Sequence, residues 1–309
     1  MLTIIIASYN RENYLKQILN DLIASKGFNK IKVILVLYNN IDYLSKNFLD
    51  KITKINNIKI IKDNDKKNIS GTERFIKNVK KSKTKFTWYF SDDDRIFINL
   101  IDKILLVLNK NYDLSGLSIP YFSKKDNQIN NKKFYFKKTK LRLNDFNIDS
   151  DYEIIGLISS HIYNTKLLKK FFIKKNSNYI NAYTHTNFLL NNSNNWKVVK
   201  DKLIIFRVGN LDNKNLEKRL NYEFQYFDVL KKNFRKKYNS LFEKFFFKHL
   251  ISWINLNTKF NGISSTLKII YINKRLIRLN IKILFTLLLI LLLPNFLLEK
   301  LNTIRKYKN

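Results

Sequence analysis

Residues 2–10, LTIIIASYN, open the chain with a continuous, largely β-branched apolar run that ends in polar residues. A run without polar alternation is typical of a strand covered on both faces, as in parallel sheets. Apolar residues with helical spacing follow from Tyr14 to Leu22. The first elements are therefore predicted to be a strand, a loop and a helix.

The same alternation continues through the first 108 residues. Apolar runs predict strands at 31–38, 58–62 and 86–90, and helical spacing predicts helices at 43–55, 71–81 and 97–108. Strands that alternate with helices form mostly parallel sheets, because parallel neighbours need crossover connections. We therefore predict an α/β fold in which helices flank a mostly parallel sheet.

The second half of the chain is less regular. Residues 121–143 are polar and lysine-rich, which predicts a mobile loop or a hairpin. Further strands are predicted at 154–163 and 198–208, and helices at 166–172 and 183–190. From residue 216 to 257 the aromatic residues have helical spacing, so we place a boundary near residue 213. The predicted domains are an α/β domain at 1–213, a helical region at 214–280 and a tail at 281–309.

The tail resembles a membrane-seeking element. Its apolar run, Ile283 to Leu293, is shorter than the roughly 20 residues that a spanning helix needs, and Pro294 ends it. Basic residues on both sides would keep both ends on an anionic cytoplasmic surface. We expect an interfacial or re-entrant helix on the cytoplasmic face of the inner membrane, peripheral or monotopic; the alternative is a buried helix of the C-terminal region.

Composition limits the chemistry. The chain has no cysteine, which excludes disulfides, thiolate zinc sites and thiol nucleophiles and leaves oxygen ligands and histidine. Its formal charge of +34 attracts phosphates on nucleic acids, lipid head groups or nucleotides, although many lysines in such a chain only solvate the surface. Because no nucleic-acid-binding module is recognisable, no nucleic-acid partner is expected.

Asp92, Asp93 and Asp94 follow the strand predicted at 86–90. This is the end of a strand at which open α/β sheets bind ligands. Three adjacent carboxylates repel one another, and a divalent cation would hold them ionised together. Mg²⁺ or Mn²⁺ suits such oxygen ligands and could bridge to a nucleotide diphosphate. The alternative is a solvated turn or a helix cap.

Three stretches together resemble family 2 glycosyltransferases of the GT-A fold. Residues 2–11 resemble that family's opening strand, residues 68–74, NISGTER, its asparagine-glycine segment, and residues 86–94, FTWYFSDDD, its Asp-x-Asp site. A weaker likeness at 156–160, 183–185 and 207–210 is similar to the abequosyltransferase-like branch of bacterial surface-polysaccharide enzymes. The resemblance implies a GT-A fold for residues 1–213.

It also implies a set of binding residues. Asp92 and Asp94 would bind Mn²⁺ or Mg²⁺. Arg207 could add positive charge near the donor diphosphate, or could be a surface arginine that closes a strand. The residues expected to contact the nucleotide-sugar donor are Ser8, Asn10, Arg11, Asn39, Gly71, Arg74, Asp92, Asp93 and Arg207.

The sequence departs from the family pattern in two places. After the second strand, Asn39 stands in a region where the family usually has an acidic residue that contacts the base, and its amide could replace that contact. The carboxylate base usual in the second half of inverting members is also missing. His185 occupies a comparable position, and an unperturbed pKa of about 6.5 suits a general base, unless His185 is a structural hydrogen-bonder. Asp151 and Glu153 are the reserve candidates.

These features predict an inverting glycosyltransferase. It would move a sugar from a nucleotide-diphosphate donor to a lipid-linked or oligosaccharide acceptor in lipooligosaccharide, capsule or O-antigen assembly. Two alternatives stay open. One is an inactive transferase fold that binds an anionic membrane surface, and the other is a nucleotidyl or phosphoglycerol transferase that uses the same metal site.

Overall fold

The computed structural model describes two compact units, Met1–Val208 and Gly209–Asn309. The residues it describes are 1–9, 11–38, 44–63, 71–96, 99–125, 128–134, 140–141, 154–174, 182–199, 204–207, 216–234, 250–273, 283 and 285–287.

Four parallel strands form the centre of the first unit. They are β1 (Leu2–Tyr9), β2 (Ile31–Tyr38), β3 (Ile58–Asp63) and β4 (Phe86–Ser91), in the spatial order β3-β2-β1-β4. Nearly every residue of β1, β2 and β4 is buried, because helices cover both faces of a parallel sheet. The predicted α/β fold with a mostly parallel sheet is confirmed.

The sheet extends beyond β4 with shorter strands, and a second sheet of four strands lies in the same unit. The remaining strands that the structure describes are β5 (Arg95–Ile96), β6 (Gly116–Ser118), β7 (Tyr121–Lys125), β8 (Gln128–Phe134), β9 (Lys140–Leu141), β10 (His161–Asn164), β11 (Trp196–Val198) and β12 (Ile204–Arg207). Among the described residues, the first sheet has eight strands in the order β3-β2-β1-β4-β10-β6-β11-β9, and the second has the order β5-β12-β7-β8.

Helices of the first unit follow the predicted positions, with ends displaced by a few residues. The first helix has the expected buried apolar stripe, formed by Leu15, Ile18, Leu19 and Leu22. The helices are α1 (Glu12–Ala24), α2 (Lys46–Thr53), α3 (Gly71–Val79), α4 (Leu100–Lys110), α5 (Thr165–Lys174) and α6 (Thr184–Asn191).

Two strand predictions in the second half were correct only in part. The apolar run at 154–163 forms a helical turn at 154–156 and a 3₁₀ turn at Ile158–Ser160, and β10 starts at His161. Tertiary contacts decide this, since Trp88 donates its indole N–H to the Ser159 carbonyl at 2.7 Å. The run at 198–208 is divided between β11 and β12, which belong to different sheets.

Within the polar stretch 121–143, β7 and β8 pair as an antiparallel hairpin.

The second unit contains two long described helices, α7 (Leu216–Asn233) and α8 (Ile251–Ile272). Two hydrogen bonds join them, from Ser265 to Glu217 and from Asn273 to Asn221. Among the described residues, no helix combines the length and apolar character needed to cross a membrane. In the predicted tail the structure describes residue 283 and residues 285–287, which are helical, with Ile283 and Leu287 buried.

A break at Gly262 divides α8. Its backbone has φ 82° and ψ 170°, and a Cβ atom placed there would meet nothing within 4 Å. Glycine is therefore required for the conformation of the backbone and not for space, because side chains with a Cβ rarely adopt this region.

We expect Gly262→Ala to lower the free energy of unfolding by about 1–3 kcal/mol, the cost of forcing a Cβ-bearing residue into this conformation. Ser264→Ala, two residues later on the exposed helix surface, is the matched control and should change stability by less than about 0.5 kcal/mol. Denaturant unfolding of the two variants tests this, and equal stability would show that α8 does not need the break.

Candidate functional site

The carboxyl ends of β1, β2 and β4 meet at one edge of the large sheet. The register pairs Tyr9 with Tyr38 and Ala7 with Ser91, so the polar residues that follow each strand are neighbours. The acidic triplet begins directly after Ser91. The structure therefore places the triplet at the carboxyl end of β4, the end of a strand at which open α/β sheets commonly bind ligands.

The triplet forms a turn held by hydrogen bonds to Ser91. The Ser91 hydroxyl donates to Asp93 at 2.5 Å, and the Asp94 amide donates to the Ser91 carbonyl at 3.3 Å. The Ser91 amide donates to the Ser159 hydroxyl at 3.0 Å. The turn at 158–160 therefore supports the acidic turn from the neighbouring strand connection.

Asp92 and Asp94 are buried carboxyl groups, with 4% and 1% of their surface exposed. Burial raises the pKa of Asp92 to about 6, with Ser8 and Arg11 opposing the shift. Burial also raises the pKa of Asp94 well above its usual range, with a further contribution from Asp93. Both groups are therefore held in surroundings that disfavour their charge.

Each of these carboxyl groups has an oxygen without a hydrogen-bond partner in the described structure, Oδ2 of Asp92 and Oδ1 of Asp94. The Ser8 hydroxyl lies close enough to lower the pKa of Asp92, yet no hydrogen bond of good geometry joins them. Buried oxygens without partners are costly, and a cation would satisfy them.

These residues fit a divalent metal that a substrate helps to bind. No three His, Cys, Asp or Glu side chains among the described residues are grouped closely enough to hold a metal ion by themselves. Mg²⁺ needs no such cluster, because it is commonly bound by one or two carboxylates together with substrate phosphates. Asp92 and Asp94 provide that smaller set.

Arg11 joins the acidic turn to the start of α1. Its Nη1 donates to Asp93 at 2.8 Å and to Asp92 at 3.2 Å, and its side chain is 47% exposed. The guanidinium therefore partly neutralises the turn and remains accessible from solvent.

Arg74 lies at the same edge, on the first turn of α3. Its guanidinium lies 4.1 Å from the ring centre of Tyr38 and 5.9 Å from that of Tyr9, within the range of cation–π attraction. Asn78 fixes Tyr38 by donating to its hydroxyl at 3.0 Å. The Tyr9 ring is 45% exposed, so an aromatic surface and a positive charge face the ligand edge together.

His185 is buried, and both of its ring nitrogens are engaged. Nδ1 is 3.1 Å from the Thr72 hydroxyl, and Nε2 is 3.1 Å from the Gly156 carbonyl oxygen. Burial lowers its pKa to about 4, so the ring is neutral at pH 7, with Nε2–H donating to the carbonyl. His185 thus connects the first turn of α3, which carries Arg74, to the turn at 154–156.

The other predicted site residues have less structural context. Gly71 is the first residue of α3, and Arg207 is the last residue of β12 in the second sheet, with its side chain outside the described part. The candidates that lie outside the described residues are Asn10, Asn39, Asp151 and Glu153.

Three residues that support the site were missed by the sequence analysis. Tyr38 was assigned to a strand, Asn78 to a helix and Ser159 to a strand that in the structure begins only at His161. A signal was available for Tyr38, since it is the last residue of β2 and therefore adjoins Tyr9 at the end of β1. The sequence gives no comparable signal for Ser159, whose contact with Ser91 spans 68 residues.

Comparison with known families identifies the class of protein that this fold and site define. Residues 3–176 match the model of glycosyl transferase family 2. The match covers more than half of the 309 residues, and the chain belongs to this family. No curated protein sequence matches the chain.

Solved structures agree on the fold. S. aureus TarS 1-349 in complex with UDP is similar with a TM-score of 0.62 and 16% identity, over 87% of this chain and 80% of that one. The mannosyltransferase PcManGT from Pyrobaculum calidifontis, in complex with GDP-Man and Mn²⁺, has a TM-score of 0.53 and 9% identity, over 94% and 83%. The predicted GT-A-like fold is confirmed.

Asp94→Asn is expected to stabilise the protein at pH 7 by at least about 1 kcal/mol, because burial disfavours ionisation of the Asp94 carboxyl and the neutral amide avoids that cost. A carboxyl group whose pKa is raised on folding lowers the free energy of unfolding as the pH rises above the pKa of 3.8 that the group has in the unfolded chain. The gain should therefore vanish near pH 3. Denaturant titrations at both pH values test this, with exposed Asp113→Asn as the control; equal stability of wild type and Asp94→Asn at pH 7 would contradict it.

A second prediction concerns His185. Its pKa is about 4 when folded against 6.5 as the ordinary value, so its protonation destabilises the native state as pH falls through this window. The His185→Asn variant has no imidazole at this position and therefore lacks this pH-dependent loss of stability. The stability difference between wild type and variant should therefore narrow by up to roughly 3 kcal/mol from pH 6.5 to 4. A difference that does not depend on pH would mean that the ring is not buried in its neutral form.

Proposed function

We propose that this family member is a metal-dependent, inverting glycosyltransferase that uses a nucleotide-diphosphate sugar. The observation that carries the proposal is the pair of buried carboxyl groups, Asp92 and Asp94. Each has an oxygen without a partner in the described structure, and both lie at the ligand edge of the sheet. Such a pair is costly for folding and useful for binding a cation with a diphosphate.

The donor would lie across the ends of β1, β2 and β4. The ring of Tyr9 and the guanidinium of Arg74 offer a stacking surface and a positive charge to a nucleotide. Arg11, half exposed beside the acidic turn, is placed to bind phosphate oxygens. From the family resemblance, Ser8, Asn10, Asn39, Gly71, Asp93 and Arg207 complete the proposed donor contacts.

Asp92 and Asp94 would hold Mn²⁺ or Mg²⁺. When bound, such a metal neutralises negative charge that grows on the departing diphosphate. PcManGT, of similar fold, was crystallised with GDP-Man and Mn²⁺, which supports this assignment by analogy of fold alone.

In the proposed reaction the acceptor hydroxyl attacks the anomeric carbon. A new carbon–oxygen bond forms on one face as the bond to the diphosphate oxygen breaks on the other, and the acceptor proton passes to a base. Positioning of the two substrates supplies much of the acceleration. Inversion follows from this single displacement.

The base is better assigned to Asp151 or Glu153 than to His185. The His185 ring already has hydrogen bonds at both nitrogens, and burial holds its pKa near 4, far below the value suited to a base at neutral pH. We therefore propose that His185 is a positioning residue for α3. Glu153 directly precedes the turn at 154–156, which His185 holds through Gly156.

The acceptor and the location follow from the C-terminal sequence and not from the site. The basic, apolar tail at 281–309 favours the cytoplasmic face of the inner membrane and a lipid-linked or oligosaccharide acceptor. We propose that the protein acts in the assembly of lipooligosaccharide, capsule or O-antigen and is related to the abequosyltransferase-like branch of the family. TarS, of similar fold, was crystallised with UDP and with UDP-GlcNAc, so uridine donors belong among the first tested.

The test is donor turnover with a panel of nucleotide sugars, with and without Mn²⁺, and with membrane extract as acceptor. Asp94→Ala should lower metal-dependent turnover by at least about a hundredfold, because the variant would no longer hold the metal ion whose positive charge stabilises the leaving diphosphate. Asp113→Asn, which alters an exposed carboxylate on the same unit, should leave turnover unchanged. In parallel, Mn²⁺ with nucleotide should raise the melting temperature of wild type and not of Asp94→Ala.

The same assay separates the remaining assignments. Asp151→Asn or Glu153→Gln should lower kcat with little change in donor affinity if that residue is the base, whereas His185→Asn should affect donor affinity through α3. Turnover of cytidine-activated alcohols in place of sugar nucleotides would indicate a nucleotidyl or phosphoglycerol transferase. No turnover with any donor, together with nucleotide-independent membrane binding, would indicate the inactive fold.

A further inference from the structure

Exposed apolar side chains are concentrated on one helix of the second unit. Among the described residues, eleven large hydrophobic side chains are exposed, and five of them lie on α8. A cluster of this kind commonly marks an interaction surface, whereas single exposed apolar residues are ordinary. The five side chains and their exposed fractions are Phe260 (48%), Ile263 (47%), Leu267 (46%), Tyr271 (67%) and Ile272 (64%).

The spacing places three of these residues on one continuous stripe. Ile263, Leu267 and Tyr271 are four residues apart and therefore form one stripe along the helix after the Gly262 break. The other side of the same segment is used for folding, since Thr266 and Ile269 are buried. The stripe is thus the outward side of a packed helix; we call Ile263, Leu267 and Tyr271 the α8 face.

The exposed charges that α8 itself carries are positive, and the one carboxylate that the described structure shows in contact with this half of the helix is Glu217, which accepts from Ser265. Lys259 and Lys268 are exposed on the same helix, and the sequence of α8 contains no aspartate or glutamate. A second copy of the chain would bring the same charges into contact and be repelled. An anionic surface that accepts apolar side chains would be attracted, and tyrosine is typical of the boundary between lipid and water.

We propose that the α8 face docks on an anionic phospholipid bilayer. The apolar stripe would enter the boundary between head groups and acyl chains to a depth of about 5–10 Å, and the lysines would contact lipid phosphates. This surface precedes the tail at 281–309 and differs from it. The proposal does not depend on the donor chemistry, and binding to vesicles can be measured without any nucleotide sugar.

The first experiment uses the full chain, which contains no natural cysteine. Leu267→Cys is labelled with an environment-sensitive fluorophore and mixed with vesicles of phosphatidylcholine, alone or with about one third phosphatidylglycerol. We expect a blue shift on the anionic vesicles and no change with phosphatidylcholine alone. The exposed residue Asn56, in the first unit, gives the control Asn56→Cys, whose label should keep its emission.

Three outcomes of this experiment would overturn the proposal. The label at residue 267 could keep the emission that it has in water even when the protein is bound to vesicles. It could report an apolar environment before vesicles are added, which would mean that another segment of the chain covers the face. It could also shift with protein concentration in the absence of lipid, which would mean that a second copy covers it.

The second experiment compares affinities. Ile263→Ser combined with Leu267→Ser should weaken binding to the anionic vesicles about 25-fold, at roughly fivefold for each half-exposed aliphatic side chain that no longer enters lipid. Leu106→Ser combined with Ile173→Ser removes exposed aliphatic side chains of the same types from the first unit and should change affinity less than about twofold. Equal losses in the two double variants, or none in either, would contradict docking by α8.

Charge and activity complete the test. Lys268→Gln should weaken binding about fivefold, and added salt should reduce the difference. Donor turnover in the absence of vesicles should be the same for the Ile263 and Leu267 double variant as for wild type. A variant that loses vesicle binding and keeps turnover supports the proposal, whereas one that keeps full vesicle binding refutes it, whatever the outcome for the proposed transferase.

Discussion

Burial of two carboxyl groups at the end of β4 is the constraint on which the rest of the site depends. Asp92 and Asp94 are almost inaccessible to solvent, and burial raises the pKa of both. A fold tolerates such groups only when the surrounding structure holds them firmly. The tight hydrogen bonds of Ser91, supported by Ser159 from the neighbouring connection, provide that hold.

The first hundred residues are predictable because local signals and tertiary structure agree there. Apolar runs without alternation gave β1 and β4 to within one residue, and β2 exactly where 31–38 places it. A parallel sheet buries each strand on both faces, so the pattern needs no knowledge of distant partners. The position of the acidic turn follows from the same signal, since it directly succeeds β4.

The second half could not be predicted in the same way. The apolar run at 154–163 has strand composition, yet its first residues turn so that backbone carbonyls reach Trp88, His161 and His185. The contacts with Trp88 and His185 link residues 71 and 29 positions apart in the sequence, and no local pattern predicts them. The interpretation of His185 changes for the same reason, because its burial and its two hydrogen bonds belong to the tertiary structure.

The atoms around the acidic turn show how the Arg11 guanidinium and a divalent metal could both bind there. Arg11 binds Oδ1 of Asp92 and Oδ2 of Asp93, whereas the oxygens without partners in the described structure are Oδ2 of Asp92 and Oδ1 of Asp94. A divalent cation could therefore bind without displacing the guanidinium. Two positive groups beside one turn would then face a diphosphate together, and the repulsion between them would be relieved when that anion binds.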